Sequence, residues 1–273
     1  MNNNYEWIER KNKERDECYK KIEESAKQTK YNSKLFKQYL DIQTRFDKYS
    51  VGNTLLISLQ MPNATNFKTK DDWQKINITV NQNAKSFKIL EPSSPIQCAN
   101  GKKAIYYNPK DMYDITQTNA KASDKAVLYS DEKFLKALIH ICPVKVRAID
   151  ELENNLGVKF DEDQNILYVC RGMDTSKLFQ TFTIELSKLI QDKSNIEDKL
   201  GNFGNYCVSY MICKKYGKTV ENYNFENIPP QIQQMSVKDF RAELTTMKYM
   251  MNKIAKQIDE VISYKAPNRA NVR

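Results

Sequence analysis

The feature that most constrains the fold is a run of apolar side chains near the C-terminal end of the chain. Between Val237 and Tyr264 they recur every third or fourth residue, which places them on one face of an α-helix. The positions are Phe240, Leu244, Met247, Met251, Ile254, Ile258 and Val261. We interpret the methionines among them as helix core and not as a cofactor site. A chain with such a helix, and with only 7 glycines and 8 prolines in 273 residues, is not a loop-rich all-β protein.

Shorter patterns predict the remaining elements. Apolar residues at helical spacing predict a mainly helical segment over 5–48 and further helices at 53–60, 134–141, 178–191 and 205–216. The expected inward face of the 178–191 helix is Phe179, Phe182, Leu186, Leu189 and Ile190. Between 64 and 118, alternating runs such as AKSFKILEP predict the strands of a small antiparallel sheet, and NILYVC (165–170) predicts a buried strand. The predicted fold class is therefore α+β.

The segment NAKASDKA (119–126) is small and polar, as linkers between domains often are. We therefore predict two domains, 1–122 and 123–273. No apolar run is long enough to span a bilayer, and the N-terminal sequence MNNNYEWIERKNKERDE has no apolar centre of the kind found in signal peptides. A cytoplasmic protein that does not enter a membrane is the expectation.

The positive charge is concentrated in the first half of the chain. The net charge is +9, and residues 1–130 carry 22 lysines and arginines against 15 acidic residues. Such an excess suits an anionic partner such as nucleic acid. A lysine-rich surface with no partner remains the alternative on charge alone.

The segment from Phe46 to Trp73 combines aromatic, amide and basic side chains. Aromatic rings stack on unpaired bases, amides bond to base edges, and cations neutralise phosphates. We predict base or sugar contacts from Tyr49, Asn53, Gln60 and Trp73, with Thr65 as a further contact or a helix cap. The phosphate candidates are Arg45, Lys48, Lys68, Lys70, Lys75, Lys85 and Lys88. The same residue types also occur as core and solvated rim, so the pattern alone leaves that alternative open.

Two motifs in this half resemble a known family. The run FDKYSVGNTLLISLQMPNAT, the following Trp73 and the strand ending in Pro92 are similar to the N-terminal single-stranded-DNA-binding domain of ArdC-type antirestriction proteins. MYDITQT (112–118) resembles the segment that closes this domain in the family. The resemblance covers 33–118. One departure is that Asn83 and Ser86 stand where the family has glycines, and we expect Asn83 to supply a turn with positive φ.

The second half resembles the family more weakly, in NILYVCRGMDTSKLFQTFTIELSKL and FGNYCVSYMICKKYG. The resemblance implies a zincin-like metallopeptidase domain, whose zinc helix carries H-E-x-x-H. Here the corresponding slot holds Ile184, Glu185 and Lys188, and the only histidine of the chain is His140, which we expect to be structural. We predict no metal, no cofactor and no peptidase activity, and an ion pair between Glu185 and Lys188.

Other catalytic motifs are missing from the sequence. There is no P-loop, no G-x-G-x-x-G and no G-x-S-x-G. The six cysteines have no metal-ligand spacing, so we expect buried, reduced thiols.

By resemblance, the predicted function is single-stranded-DNA binding in a plasmid or conjugative element, with protection of incoming DNA. Double-stranded DNA as an additional ligand and the oligomeric state are left open. One alternative is an adaptor for conjugation or plasmid-maintenance proteins. The other is a metallopeptidase with non-standard ligands.

Overall fold

The computed structural model describes residues 2–97, 103–120, 129–152, 157–196 and 199–263. The chain forms two compact units. The first contains Met1–Lys125 and Phe225–Arg241, and the second contains Ala126–Asn224 and Ala242–Arg273. The predicted domain boundary after residue 122 lies outside the described residues, and the division into a 1–122 and a 123–273 domain stays a prediction.

The first unit is helical at its start and carries short strands after residue 66. Its elements are α1 (Asn2–Tyr31), α2 (Ser33–Arg45), α3 (Val51–Gln60), β1 (Phe67–Lys68), α4 (Lys70–Gln74), β2 (Phe87–Pro92), β3 (Ile96–Gln97), β4 (Lys103–Ala104), β5 (Tyr107–Asp114) and α8 (Pro230–Gln234). Asn32, Ser50 and Thr69 cap α2, α3 and α4, because each side-chain oxygen accepts a backbone N–H of the first turn.

A three-stranded sheet forms the centre of this unit, with strand order β1-β5-β2 and antiparallel pairing throughout, as predicted. Phe87 lies opposite Met112 in the register, and one face of the sheet packs on α2 and α3. The buried side chains of that face form one cluster: Ile42, Ile57, Ala64, Phe67, Phe87, Ile89 and Met112. β3 and β4 form a separate two-stranded ribbon.

The turn chemistry before β2 differs from the sequence prediction. Positive φ occurs at Asn77, with φ of 58°, and not at Asn83. The chain therefore reverses right after α4 and reaches β2 without a left-handed residue at the predicted position. Ser86, at the second family glycine position, donates its hydroxyl to Asp111 Oδ1 at 2.8 Å.

The second unit combines a mixed sheet with long helices. Its elements are α5 (Asp131–Ile141), β6 (Lys145–Ile149), β7 (Val158–Asp161), β8 (Ile166–Cys170), α6 (Thr175–Lys193), α7 (Asn202–Lys215) and most of α9 (Val237–Ser263). The sheet order is β6-β8-β7, with β6 parallel and β7 antiparallel to β8. The sequence analysis found β8 and missed β6 and β7. The fold class is α+β, as predicted.

Most predicted core positions of the helices are confirmed. All five inward residues predicted for α6 are buried, and so are the methionines Met247 and Met251 of α9, whereas Val261 is only half-buried. His140 lies exposed in the last turn of α5, and its expected structural role stays a prediction. Cys18, Cys207 and Cys213 are buried, Cys142 and Cys170 are half-buried, and Cys98 lies outside the described residues. None of the helices in the described ranges is long and apolar enough to cross a membrane.

Candidate nucleic-acid interface

Two side-chain amides of α3 lie along the outer edge of β2. The Asn53 amide donates to the Leu90 carbonyl oxygen and accepts from the Leu90 N–H, both at 2.8 Å. Two residues earlier on β2, the Gln60 amide donates to the Lys88 carbonyl oxygen at 2.9 Å and accepts from the Lys88 N–H at 3.2 Å. Each amide reproduces the pair of hydrogen bonds that a neighbouring strand would make. Helix α3 therefore closes a sheet edge that would otherwise be open.

This geometry corrects the prediction that Asn53 and Gln60 contact bases. The nitrogen and the oxygen of the Asn53 amide both form hydrogen bonds, and the residue is 6% exposed. The Gln60 nitrogen also bonds to the Leu56 carbonyl oxygen at 3.0 Å, so this amide is occupied as well. The two motif residues therefore hold the fold together.

Asp114 connects three segments of the first unit. One carboxylate oxygen accepts the backbone N–H groups of Thr65 at 2.7 Å and Asn66 at 3.0 Å. The other accepts the N–H of Thr116 at 3.1 Å and its hydroxyl at 2.8 Å. Gln117 accepts the Asp114 N–H and donates to the Lys85 carbonyl oxygen. The DITQT motif thus fixes the loops at 64–66 and 81–85 against the end of β5.

Trp73 also has a structural role in place of the predicted stacking role. Its side chain is 1% exposed and its indole N–H donates to the Tyr113 carbonyl oxygen at 2.8 Å. Neither ring face is open to a base, and the Lys68 ammonium lies 5.7 Å from the ring centroid. The Thr65 hydroxyl is buried and finds no hydrogen-bond partner among the described atoms, so Thr65 is not a helix cap.

Tyr49 is a predicted base contact whose ring is partly exposed at the surface of the unit. Its ring is half-buried against Phe67, with centroids 5.1 Å apart, and meets Phe46 edge-on at 6.0 Å. Phe46 is half-buried too, and Phe67 continues the cluster to Phe87. Burial, together with the negative charge of Glu91, raises the pKa of the Tyr49 hydroxyl. Phe46 was predicted as scaffold, but its partial exposure makes it a second stacking candidate.

Four of the predicted phosphate contacts are exposed cations of the first unit. Arg45 ends α2 and donates to the Ala64 carbonyl oxygen, and Lys48 follows in the turn before Tyr49. Lys70 begins α4 directly after the β1 strand, and Lys85 is tied through its carbonyl oxygen to Gln117. Within the part of the chain that the structure describes, no ion pair engages Lys48, Lys70 or Lys85. These cations keep their charge available to an external anion.

Lys75 and Lys88 are already paired. The Lys75 ammonium lies 2.7 Å from Asp72. The Lys88 ammonium bridges Asp111 at 3.0 Å and Glu14 of α1 at 3.3 Å. Partial burial disfavours the charge on Lys88, but hydrogen bonds to Asp111 and Glu14 outweigh it and raise the Lys88 pKa. Burial also opposes the charges on Glu14 and Asp111, and the lysine hydrogen bonds outweigh it and lower both pKa values. A phosphate would have to compete for Lys88.

The sequence analysis missed an exposed group at the other end of β5. Ile105, Tyr106 and Tyr107 are all exposed, and the Arg15 side chain of α1 bonds to the Tyr107 carbonyl oxygen. The signal in the sequence was the pair of adjacent tyrosines between lysines in KKAIYYNPK. The same run also fits the pattern of a short strand, which gives no reason to expect exposed rings.

The slot formed by Ile184, Glu185 and Lys188, for which the sequence predicts no metal, lies on α6. Glu185 and Lys188 form an ion pair at 2.7 Å, which confirms that part of the prediction. On the adjoining buried side, Ser187 donates to Asn205 of α7 at 2.6 Å, and Thr183 bonds to Ser209. Among the residues described, no three histidine, cysteine, aspartate or glutamate side chains are grouped so as to hold a metal ion.

Comparison with known proteins gives a match in structure only. No protein-family model matches the sequence, and no curated protein matches it. The metal-free crystal structure of the antirestriction protein ArdC from plasmid R388 superimposes with a TM-score of 0.54 at 12% identity, over 79% of this chain and 85% of that chain. The Mn(II)-bound structure of ArdC gives a TM-score of 0.52 at 11% identity over the same shares. The fold is ArdC-like.

The ArdC-like fold confirms, at the level of architecture, the resemblance found in the motifs of 33–118. The side chains of the slot on α6 can be compared with the ligands that a divalent metal ion needs. Ile184 has no side-chain donor atom, and the ammonium group of Lys188 would repel a divalent ion. Glu185 is held by that ammonium. The residues of the slot do not fit a divalent metal.

Proposed function

We propose that this protein binds single-stranded DNA through the first unit, in the cytoplasm of a cell that carries a plasmid or conjugative element. The observation that carries the proposal is the half-buried ring pair Phe46 and Tyr49. The same unit exposes Lys48, Lys70 and Lys85, and no ion pair engages these three cations among the described residues. The ArdC neighbour is an antirestriction protein of a plasmid. We extend that role to this chain as protection of incoming DNA.

The proposed interface would recognise the general chemistry of a single strand. Partly exposed rings stack on unpaired bases, which contributes about 1–3 kcal/mol for each base. Lysine and arginine neutralise the phosphates and release counterions. The amides that could read base identity, Asn53 and Gln60, are occupied by β2. We therefore expect binding with little dependence on base sequence and a strong dependence on salt.

The test is fluorescence anisotropy with a labelled oligo(dT) at two salt concentrations. Loss of three phosphate contacts in K48A/K70A/K85A should weaken binding about tenfold or more at low salt and reduce the slope of log K against log salt by about 2. The matched control is K133A/K145A/K177A, which removes three exposed lysines of the second unit and should bind as the wild type does. A wild-type protein that binds no oligonucleotide at low salt would refute the proposal.

We further propose that the second unit has no metallopeptidase activity. The side chains of Ile184, Glu185 and Lys188 support this, because a zinc site of this kind needs two helix imidazoles one turn apart and a third ligand. We expect a chelator to leave the midpoint of thermal unfolding unchanged and the purified protein to contain far less than one equivalent of zinc. Stoichiometric zinc, with a fold that chelation destabilises, would instead support a peptidase with unusual ligands.

A further inference from the structure

Three consecutive large apolar side chains lie exposed where the β3–β4 ribbon leads into β5. Ile105 is 52% exposed, Tyr106 47% and Tyr107 43%. Single exposed apolar residues are common, whereas three large exposed side chains in succession are unusual and make this segment a candidate contact site. None of the three takes part in the sheet core of the first unit, so core packing does not explain them.

The backbone that carries the two tyrosines is fixed by hydrogen bonds. The Ser93 N–H donates to the Tyr106 carbonyl oxygen at 2.7 Å, and the Tyr106 N–H donates to the Ser93 hydroxyl at 3.1 Å. Tyr107 pairs with Pro92 at the end of the β2–β5 ladder. A ligand that stacks on these rings would therefore order little more than the side chains, which keeps the entropic cost of binding low.

Positive charge accompanies the tyrosines. The Arg15 Nε–H donates to the Tyr107 carbonyl oxygen at 2.8 Å, which uses one of the five N–H donors of the guanidinium. No carboxylate pairs with Arg15 in the described part of the chain. Lys110 is exposed on the same strand but forms an ion pair with Glu91 at 3.9 Å. Exposed aromatic rings with an arginine close by suit a polyanion with flat bases better than an apolar protein surface.

We propose that Tyr106, Tyr107 and Arg15 form a second contact surface for single-stranded nucleic acid, which we call the tyrosine platform. Each ring stacks on one unpaired base, and the guanidinium of Arg15 binds a phosphate between or beside them. The inference rests on the proposed function, since it extends the path of the same ligand to the other end of β5. It adds a stacking surface that the residues around Tyr49 do not include.

The test uses the full chain and a labelled oligo(dT). The Y106A/Y107A variant should bind about a hundredfold more weakly at fixed salt, because each ring contributes about tenfold, and its salt slope should be that of the wild type. Y106F/Y107F keeps both rings and should bind normally. Arg15→Gln should reduce the slope of log K against log salt by the amount that corresponds to about one phosphate contact. Tyr249→Ala removes an exposed tyrosine of the second unit and should change nothing.

Two results separate failure of the platform from failure of the proposed function. If the wild type binds oligo(dT) and Y106A/Y107A binds equally well, the proposal of the tyrosine platform is wrong while DNA binding stands. The exposed segment would then be a contact surface for a protein partner. If the wild type does not bind, both proposals fall. Should Y106A/Y107A unfold, photocrosslinking of wild-type protein to an oligonucleotide with 5-iododeoxyuridine decides the matter. Adducts on Tyr106 or Tyr107 support the platform, and their absence overturns it.

Discussion

Replacing Asp114 with asparagine should destabilise the first unit by about 3–5 kcal/mol, although the two side chains have nearly the same shape. Asp114 is 0% exposed, and each of its carboxylate oxygens accepts two hydrogen bonds. In the orientation that keeps an oxygen towards Thr65 and Asn66, the new NH₂ group faces the Thr116 N–H and cannot accept from it, although the Thr116 hydroxyl can reverse and accept. In the opposite orientation the NH₂ group faces two backbone N–H groups. Either way the negative charge that strengthens the remaining bonds is lost, and at least one buried N–H is left without a partner.

The measurement is urea unfolding followed by tryptophan fluorescence. Both tryptophans, Trp7 and Trp73, belong to the first unit, and Trp73 bonds to the residue before Asp114, so its emission reports on this region. The matched control is Asp111→Asn on the same strand. Asp111 is exposed and bonds to Lys88 and Ser86, so its loss should cost about 1 kcal/mol or less. Equal effects of the two substitutions would contradict a special role for Asp114.

The sequence motifs predicted the fold better than they predicted the site. Asn53, Gln60 and Trp73 were selected because amides and aromatic rings can bind nucleic acid, and each lies in the right module. Their partners are backbone groups of β2 and β5, which lie 28 to 40 residues away in sequence. A buried amide and an exposed amide look alike in a sequence. Only the tertiary pairing shows which one is already occupied.

The elements that the sequence analysis missed are those with weak local patterns. β6 has an exposed or half-buried residue at every position, so alternation of apolar and polar residues is faint there. β7 has only four residues. The exposure of Tyr106 and Tyr107 was missed for the opposite reason, because tyrosine favours strands and KKAIYY fits a strand pattern well. Exposure of the rings follows from the end of the β2–β5 ladder at Tyr107, which no local pattern reveals.

Replacing Asn53 with leucine should lower the free energy of unfolding of the first unit by about 2–5 kcal/mol. Leucine fills a similar volume, so the change leaves little cavity and mainly removes the two hydrogen bonds to Leu90. Leu90 is buried, and water cannot readily replace the amide at its N–H and carbonyl oxygen. An unsatisfied buried backbone group costs about 1–3 kcal/mol, and here there are two.

Hydrogen exchange at the Leu90 amide distinguishes this mechanism from a general loss of packing. In the wild type this N–H should exchange slowly, because its acceptor is a buried side-chain oxygen on α3 and not a neighbouring strand. In Asn53→Leu it should exchange much faster than the N–H groups of β2 that bond to β5. Gln60→Leu is the matched control, since its partner Lys88 is half-buried and solvent can take over the lost bonds. We expect Gln60→Leu to cost only about 1–2 kcal/mol. An Asn53→Leu protein as stable as the wild type, with a protected Leu90 amide, would show that β2 does not depend on α3 to close its edge.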